Sequence, residues 1–403
     1  MIQVVSQQQM KLSNTKSVFR LIQVNKNISR IAISKITKLS PTTISSIVDE
    51  LMSKGIVVER LPLDNIGAGR KAISLEINDV KKYIIGMDLN QEGVTGTAFN
   101  LKMDPVFTIA ERFNKKTLED VEIIRLLKSI INKLMKAVKG DFNELLGVCI
   151  GIPALLDPVK QSIVISTALN IENIDLYHSL QAEFDFPIFF ENETLVAATA
   201  EKEQYEKSTS PFIYLSINEG LGARVIINDQ FLQGANGDSI EIGHMSVDLN
   251  GAQCSCGNRG CFELLVSTNV LAVKTNKAMA NNTDSILSEL MSKEGVSIES
   301  AIANAVLMND PLAIQIVDEI AIDLGNGIVN VINIFNPEMI VIGGRLSTLG
   351  DRLLLGVQKQ AEKRAIKPFF ERCTIGLVKQ RDNTISRGAA IYTLNRVIES
   401  QIN

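Results

Sequence analysis

The sequence predicts an α/β protein in which a small helical head precedes a two-lobed body. Three observations predict it. The first eighty residues carry three amphipathic helical segments and a hairpin with a glycine-rich turn. From about residue 81 short strands alternate with helical stretches, as in α/β domains. The same strand order then recurs, which reads as two related lobes with a cleft between them. At 403 residues, 45% hydrophobic and 21% charged, the chain has the make-up of an ordinary globular protein of two or three domains. The expected boundaries are 1–80 for the head, 81–195 for the first lobe with the helix 384–403 completing it, and 196–383 for the second lobe.

Within the head, SVFRLIQVN (17–25) forms the first expected helix. Ser29 caps a second, SRIAISKITKL, whose Ile33, Ile36 and Leu39 recur at helical spacing. The third, SPTTISSIVDELMSKG, has Ser40 as N-cap, Pro41 at the first helical position and Gly55 at its end. Ile44, Ile47, Val48 and Leu51 make its buried stripe. Its other side presents Thr42, Thr43, Ser45 and Ser46, short hydrogen-bonding groups that with Pro41 make up the expected DNA-contacting face at a helix N-terminus, the part a helix-turn-helix inserts into the major groove. IVVERLPL and KAISLEI flank DNIGAGRK as a two-stranded wing, with Arg70 and Lys71 placed to touch phosphate.

Charge division supports a polyanionic partner for the head. Residues 1–80 hold eleven Lys and Arg against six Asp and Glu, a balance of +5, and the remainder carries −9. With the three helices and the wing, it makes DNA the expected partner. The rival is a helical bundle with a hairpin that docks a protein.

The body opens with a three-strand meander, KKYIIGMDLN, GVTGTAFNL and PVFTIAERF, followed by a helix near 117–138 and the strands LLGVCIGIP and FPIFFENE. SPFIYLSINEGLGARVIIN, PEMIVIGG and CTIGLVK supply the second set, with long helices at 311–335 and 350–365. No apolar stretch approaches the roughly 18 residues of a membrane span. The opening MIQVVSQQQMKLS lacks the basic start and apolar run of a signal peptide, so the expectation is a cytoplasmic protein without a membrane partner.

EIGHMSVDLNGAQCSCGNRGCFE (241–263) concentrates three of the five cysteines and one of the two histidines. His244, Cys254, Cys256 and Cys261 form a closed Cys₃His set of the kind that structural Zn²⁺ prefers, with no open position for a reactive water. Free reduced thiols in a turn are the alternative. Cys149, inside an apolar strand, reads as core, and Cys373 has no partner pattern.

These residues carry a resemblance. EIGH (241–244) and CSCGNRGCFE (254–263), with the looser FENE (190–193) and GANGDSIEIGH (234–244), resemble the sugar-kinase-like body of the ROK family (repressors, open reading frames and kinases). The head resembles the winged helix-turn-helix that begins the repressors of that family. The likeness covers essentially the whole chain and points to its xylose- and N-acetylglucosamine-type sugar-responsive repressors. It implies an actin/hexokinase-like, ribonuclease H-like fold, with the sugar held in the cleft between the lobes.

The resemblance also implies that His244 both ligates zinc and faces the sugar, the metal fixing the ring so that its other nitrogen meets a hydroxyl. Glu241 and Glu263 match positions that accept from sugar hydroxyls, and Asn192 and Glu193 complete the pocket. The family's kinases carry an Asp general base where this chain has Glu193. Ala154 and Ala168 stand where the family often shows Gly and Asn, which removes one hydroxyl partner.

The nucleotide side departs further. Kinases of this fold cradle phosphate in loops resembling DxGGT and GTGxG, where glycine lets backbone N–H groups approach. Here the loops read DLNQEG and NEGLG: Asp88, Gly220 and Gly222 remain, Asn90, Gln91, Glu92, Asn218 and Glu219 intrude, and Arg345 follows Gly343 and Gly344. The expectation is a non-enzymatic repressor of carbohydrate genes, a homodimer or tetramer whose operator affinity a sugar effector alters. The alternative is a sugar kinase fused to a DNA-binding domain.

Overall fold

The structure is a computed structural model, and it describes residues 7–25, 27–60, 73–113, 120–157, 162–166, 168–205, 209–234, 240–280, 285–293, 295–379 and 383–400. The chain forms two compact units. The first comprises residues 1–200 and 383–403, the second residues 201–382.

The first unit begins with α1 (Gln7–Val24), β1 (Ile28–Ser29), α2 (Arg30–Thr37), α3 (Pro41–Ser53), β2 (Val57–Arg60) and β3 (Ser74–Ile77). The caps read from the sequence form as expected: Ser29 Oγ accepts from Ala32 N, and Ser40 Oγ accepts from Thr43 N. β2 and β3 pair antiparallel as the base of the wing. Arg70 and Lys71 fall within 61–72, outside the described residues. Two details differ from expectation. α1 starts ten residues before Ser17, and Ile36 is exposed, because only the Ile33 side of the short α2 is covered.

β4 (Lys82–Leu89), β5 (Gly93–Asn100) and β6 (Pro105–Arg112) form the expected meander. α4 (Asp120–Ala137) leads to β7 (Glu144–Ile152), which pairs parallel with β4. A small sheet of β8 (Leu155–Asp157), β9 (Ser162–Ser166) and β10 (Ile171–Ile174) follows, then α5 (Leu176–Gln181), β11 (Ile188–Asn192) and α6 (Glu193–Lys202). The main sheet runs β11-β7-β4-β5-β6 and packs against α4, which buries Ile123, Leu127, Ile130, Ile131 and Leu134.

In the second unit β12 (Phe212–Ile217), β13 (Leu221–Ile227) and β14 (Gln230–Phe231) form a meander. α7 (Glu263–Val266), α8 (Thr268–Ala280), α9 (Leu287–Met291), α10 (Ile298–Leu307) and α11 (Pro311–Phe335) come next. β15 (Met339–Gly343), α12 (Asp351–Arg364), α13 (Lys367–Phe370) and β16 (Thr374–Leu377) close the unit. Its sheet runs β14-β13-β12-β15-β16, with β15 and β16 parallel to β12. That is the order and sense of the first sheet, so the repeat legible only as strand order is a repeat of topology.

α14 (Thr384–Ser400) returns to the first unit and lies on β4 and β7. The approach is close because Gly86 and Gly388 carry no side chain: a Cβ at Gly86 would overlap the Ser386 carbonyl, and one at Gly388 the Val196 carbonyl. Among the described residues the head shares its core with the sheet that follows. Phe19, Ile22, Ile44, Val48 and Leu75 share one apolar cluster with Ile84, Phe99 and Leu101 of the sheet and with Leu394, Val397 and Ile398 of α14. Lys16 Nζ reaches Glu399 Oε1 at 2.6 Å, and Gln23 Nε2 donates to Leu101 O.

Candidate functional site

The best-built site lies in the second unit, between the one-turn helix Ile242–His244 and α7. One ligand atom each from His244, Cys254, Cys256 and Cys261 lies within 4.8 Å of all the others. Cys256 and Cys261 Sγ are 3.6 Å apart, and Cys254 Sγ is 3.7 Å from His244 Nδ1. A tetrahedral zinc with bonds of about 2.3 Å to sulfur places its ligand atoms some 3.5–3.8 Å apart, so the donor set fits that ion in kind and in spacing.

The loop earns this shape through its backbone. Val247 N donates to Gly260 O, Gly260 N to Ala252 O, Cys254 N to Asn258 O and Phe262 N to Met245 O. Gly260 adopts φ 60°, and a Cβ there would overlap the Asp248 carbonyl, so only glycine closes the turn. Phe262, fully buried, anchors the far end by laying its ring against Gly327 of α11. Burial, followed by the neighbouring thiols, pushes Cys261 up to about 12, whereas the Asn258 backbone N–H lowers Cys256. A dication held by these residues would supply the positive charge that favours thiolate at Cys256 and Cys261.

Three of the residues expected to read a sugar gather around this cluster. His244 turns Nδ1 to the thiols, and its Nε2 makes no hydrogen bond among the described residues. Glu263 Oε1 lies 3.4 Å from His244 Nδ1 and 3.2 Å from Cys254 Sγ, which makes this carboxylate a neighbour of the metal set as well as an acceptor. Glu241 is exposed, and its carbonyl accepts from His244 N across the short helix.

Asn192 and Glu193 belong to the first unit, at the junction of β11 and α6. Asn192 Nδ2 donates to Ala154 O, and its Oδ1 accepts from Thr194 N, so the side chain ties the strand end to the Pro153–Ala154 bend.

The loops expected to cradle phosphate make hydrogen bonds among their own residues. In the first unit Asn90 Oδ1 accepts from the backbone N–H groups of Glu92 and Gly93. Beside it Asp88 is half-buried with its Oδ1 enclosed; desolvation pushes its carboxyl up to about 6, Oδ2 accepts from Asn90, and Oδ1 has no hydrogen-bond partner among the described residues. In the second unit Asn218 Oδ1 accepts from Arg345 N, and Arg345 Nη1 grips Glu219 at 2.9 Å. Arg345 Nη2 lies 3.4 Å from both carboxylate oxygens of the buried Glu299. The departures at 219 and 345 are individually legible in the sequence. Their pairing across 126 residues is not, and no motif marks Glu299.

On the head, Pro41, Thr42 and Ser46 are exposed at the start of α3, while Thr43 and Ser45 are half-buried. Ser40 Oγ lies 2.7 Å from Thr42 Oγ1 and 2.8 Å from Thr43 Oγ1. Sequence reasoning missed Arg30, whose guanidinium holds Asp49 at 2.7 Å and Glu59 at 2.9 Å, and missed that Lys11 and Lys54 both hold Glu50. The acidic groups on α3 are thus neutralised from within. Lys35 and Lys38 stand exposed on the α2 side.

Comparison with known proteins places this geometry. A family model described as ROK family matches residues 91–396, and one described as winged helix-turn-helix DNA-binding matches residues 13–58. The xylose repressor of Caldicellulosiruptor bescii is 30% identical over 393 residues, 96% of this chain and 97% of that one. The DNA-binding transcriptional dual regulator NagC of Escherichia coli is 27% identical over 366 residues, 89% of this chain and 87% of its own. A crystal structure of a ROK family transcriptional regulator, homologous to the Escherichia coli MLC protein, superposes with a TM-score of 0.80 at 25% identity and covers 98% of both chains. Among the described residues no helix is long and apolar enough to cross a membrane.

Proposed function

The chain belongs to the ROK family, and from that premise we propose that it is a sugar-responsive transcriptional repressor of carbohydrate genes. The observation that carries this reading is the exposed Pro41–Thr42–Ser46 face of a capped helix, in a winged head that shares one core with the ROK body. The N-terminus of such a helix is what enters a major groove, and Arg30, Lys11 and Lys54 together balance the carboxylates of Asp49, Glu59 and Glu50 that phosphate would otherwise oppose. Lys35, Lys38, Arg70 and Lys71 are the cations assigned to the DNA backbone. A palindromic operator and a homodimer or tetramer follow from the need to place two such helices one turn of DNA apart.

The sugar is assigned to Asn192 and Glu193 of the first unit and to Glu241, His244 and Glu263 of the second. The metal is assigned as zinc held by His244, Cys254, Cys256 and Cys261, where its chemistry is structural: it fixes the imidazole through Nδ1. His244 Nε2 is then left to meet a hydroxyl. Phosphoryl transfer is not part of this reading. The N–H groups of Glu92 and Gly93 already serve Asn90, and Glu219 with Glu299 surrounds Arg345 with one more negative charge than positive. Two loop N–H groups are thus engaged by a side chain in the first unit, and the Arg345 group of the second carries no net positive charge for a polyphosphate.

The test is operator binding by fluorescence anisotropy on DNA from upstream of the gene, with and without a panel of pentoses, hexoses and amino sugars. Specific binding weakened by one sugar is expected. Absence of specific binding, or ATP-dependent phosphorylation of a sugar by the purified protein, overturns the reading.

A further inference from the structure

We propose that Arg345 and Glu219 form a clasp that positions the sugar-reading end of the second unit. The inference rests on the assignment of His244 and Glu263 to the sugar and adds residues that no motif gives to it. The clasp acts on the turn between β12 and β13. Asn218 N donates to Gly220 O to close that turn, and Arg345 holds it twice, through its backbone N–H on Asn218 Oδ1 at 2.8 Å and through its guanidinium on Glu219 Oε1 at 2.9 Å. From the other side Thr268 N donates to Asn218 O, and Asn269 Nδ2 to Glu219 O, both at the start of the helix that follows α7.

The sugar-reading groups rest on the same turn. A Cβ at Gly220 would sit 3.2 Å from Glu263 Oε2, and one at Gly243, next to His244, would overlap the Leu221 carbonyl. Glu263 is therefore held with one oxygen at the metal cluster and the other facing the turn. A shift of the turn moves Glu263, and with it the neighbour of His244 Nδ1. Glu299, 1% exposed in α10, fixes the far side of the guanidinium. Arg345 thus links α10 to the turn, and the turn carries the ligand-facing side chains.

Replacing Arg345 leaves the buried Glu299 carboxylate without its cation and threatens the fold, so the decisive variant is Glu219→Ala. It cuts the link to the turn and keeps the Arg345–Glu299 pair. Two readouts are measured on the full-length protein: the sugar concentration that half-reverses operator binding, and backbone hydrogen exchange over 241–244 and 262–268. The expected result is a roughly two- to fivefold higher midpoint, the range of a partly exposed ion pair. Exchange over both segments is expected to quicken, with sugar-free operator affinity, metal content and melting temperature unchanged. Glu219→Asp, which keeps the charge, is expected to move the midpoint less. An unchanged midpoint in Glu219→Ala beside a responsive parent overturns the clasp and leaves the sensor reading intact. If the parent answers to no sugar, the sensor reading fails, and the exchange rates alone then decide: unaltered rates overturn the clasp.

Discussion

The ring of Phe262 occupies the space that a side chain at Gly327 would fill. Phe262 sits between the last cysteine of the cluster and Glu263, and Gly327 lies within α11, so this contact holds the cysteine loop against the longest described helix of the second unit. Gly327→Ala is expected to force the ring out and to lower stability by about 1–3 kcal/mol, the cost of overpacking a close-packed site. Loss of bound zinc on mild chelation should come at lower chelator concentration than in the parent. Thermal melts with metal analysis check both, and an unchanged melt and metal content would show that the loop does not depend on this contact.

Removal of the proposed metal is expected to separate the sugar response from DNA binding. Cys256 is the exposed member of the set, so Cys256→Ser disturbs little packing while taking away one of four ligands. Metal analysis is expected to fall from one zinc per chain to a small fraction. Operator affinity without sugar should stay close to that of the parent, because the head is built into the first unit, whereas the sugar effect should disappear with the orientation of His244. A full sugar response in a metal-free variant would remove zinc from the assignment.

On the head, capping and contact can be told apart. Ser40→Ala removes the acceptor for Thr43 N and is expected to cost about 1 kcal/mol of stability. Ser46, exposed and without a role in the cap, should behave in the opposite way: Ser46→Glu is expected to leave the melt alone and weaken operator binding by roughly tenfold or more, by setting a carboxylate against phosphate. Anisotropy titrations at two salt concentrations, beside a thermal melt, distinguish the two variants.

What the sequence made legible follows from how local each signal is. α2, α3 and α11 announce themselves through neighbours: Ser29, Ser40 with Pro41, and Asp310 with Pro311 at one end, Asn336 in a left-handed conformation at the other. The metal set is legible for the same reason, since its cysteines lie within eight residues of one another. The early start of α1 is not, because QQQMKLSNTK has no apolar period and takes its helical form from packing further along. The small sheet of β8 to β10 has strands too short for an alternation to register. The clasp and the shared core of head and body join residues more than a hundred positions apart, which no window on one sequence reaches.

Asp88 gives a prediction with a definite sign in pH. Its carboxyl has one oxygen enclosed without a hydrogen-bond partner among the described residues, and desolvation, with the nearby Glu92 charge, raises its pKa from the ordinary 3.8 to about 6. A raised acid holds its proton in the folded chain while the unfolded chain has lost it. Stability from this group is therefore greatest at low pH, declines as pH climbs from about 4 through 6, and leaves a burden of up to about 3 kcal/mol at neutral pH. Asp88→Asn keeps an acceptor for Asn90 Nδ2 and removes the titration. It should melt higher than the parent at pH 7.5 and nearly level with it at pH 4, the difference growing between those limits. A difference in melting temperature that stays flat across that range would mean that Asp88 keeps an ordinary pKa through contacts with solvent.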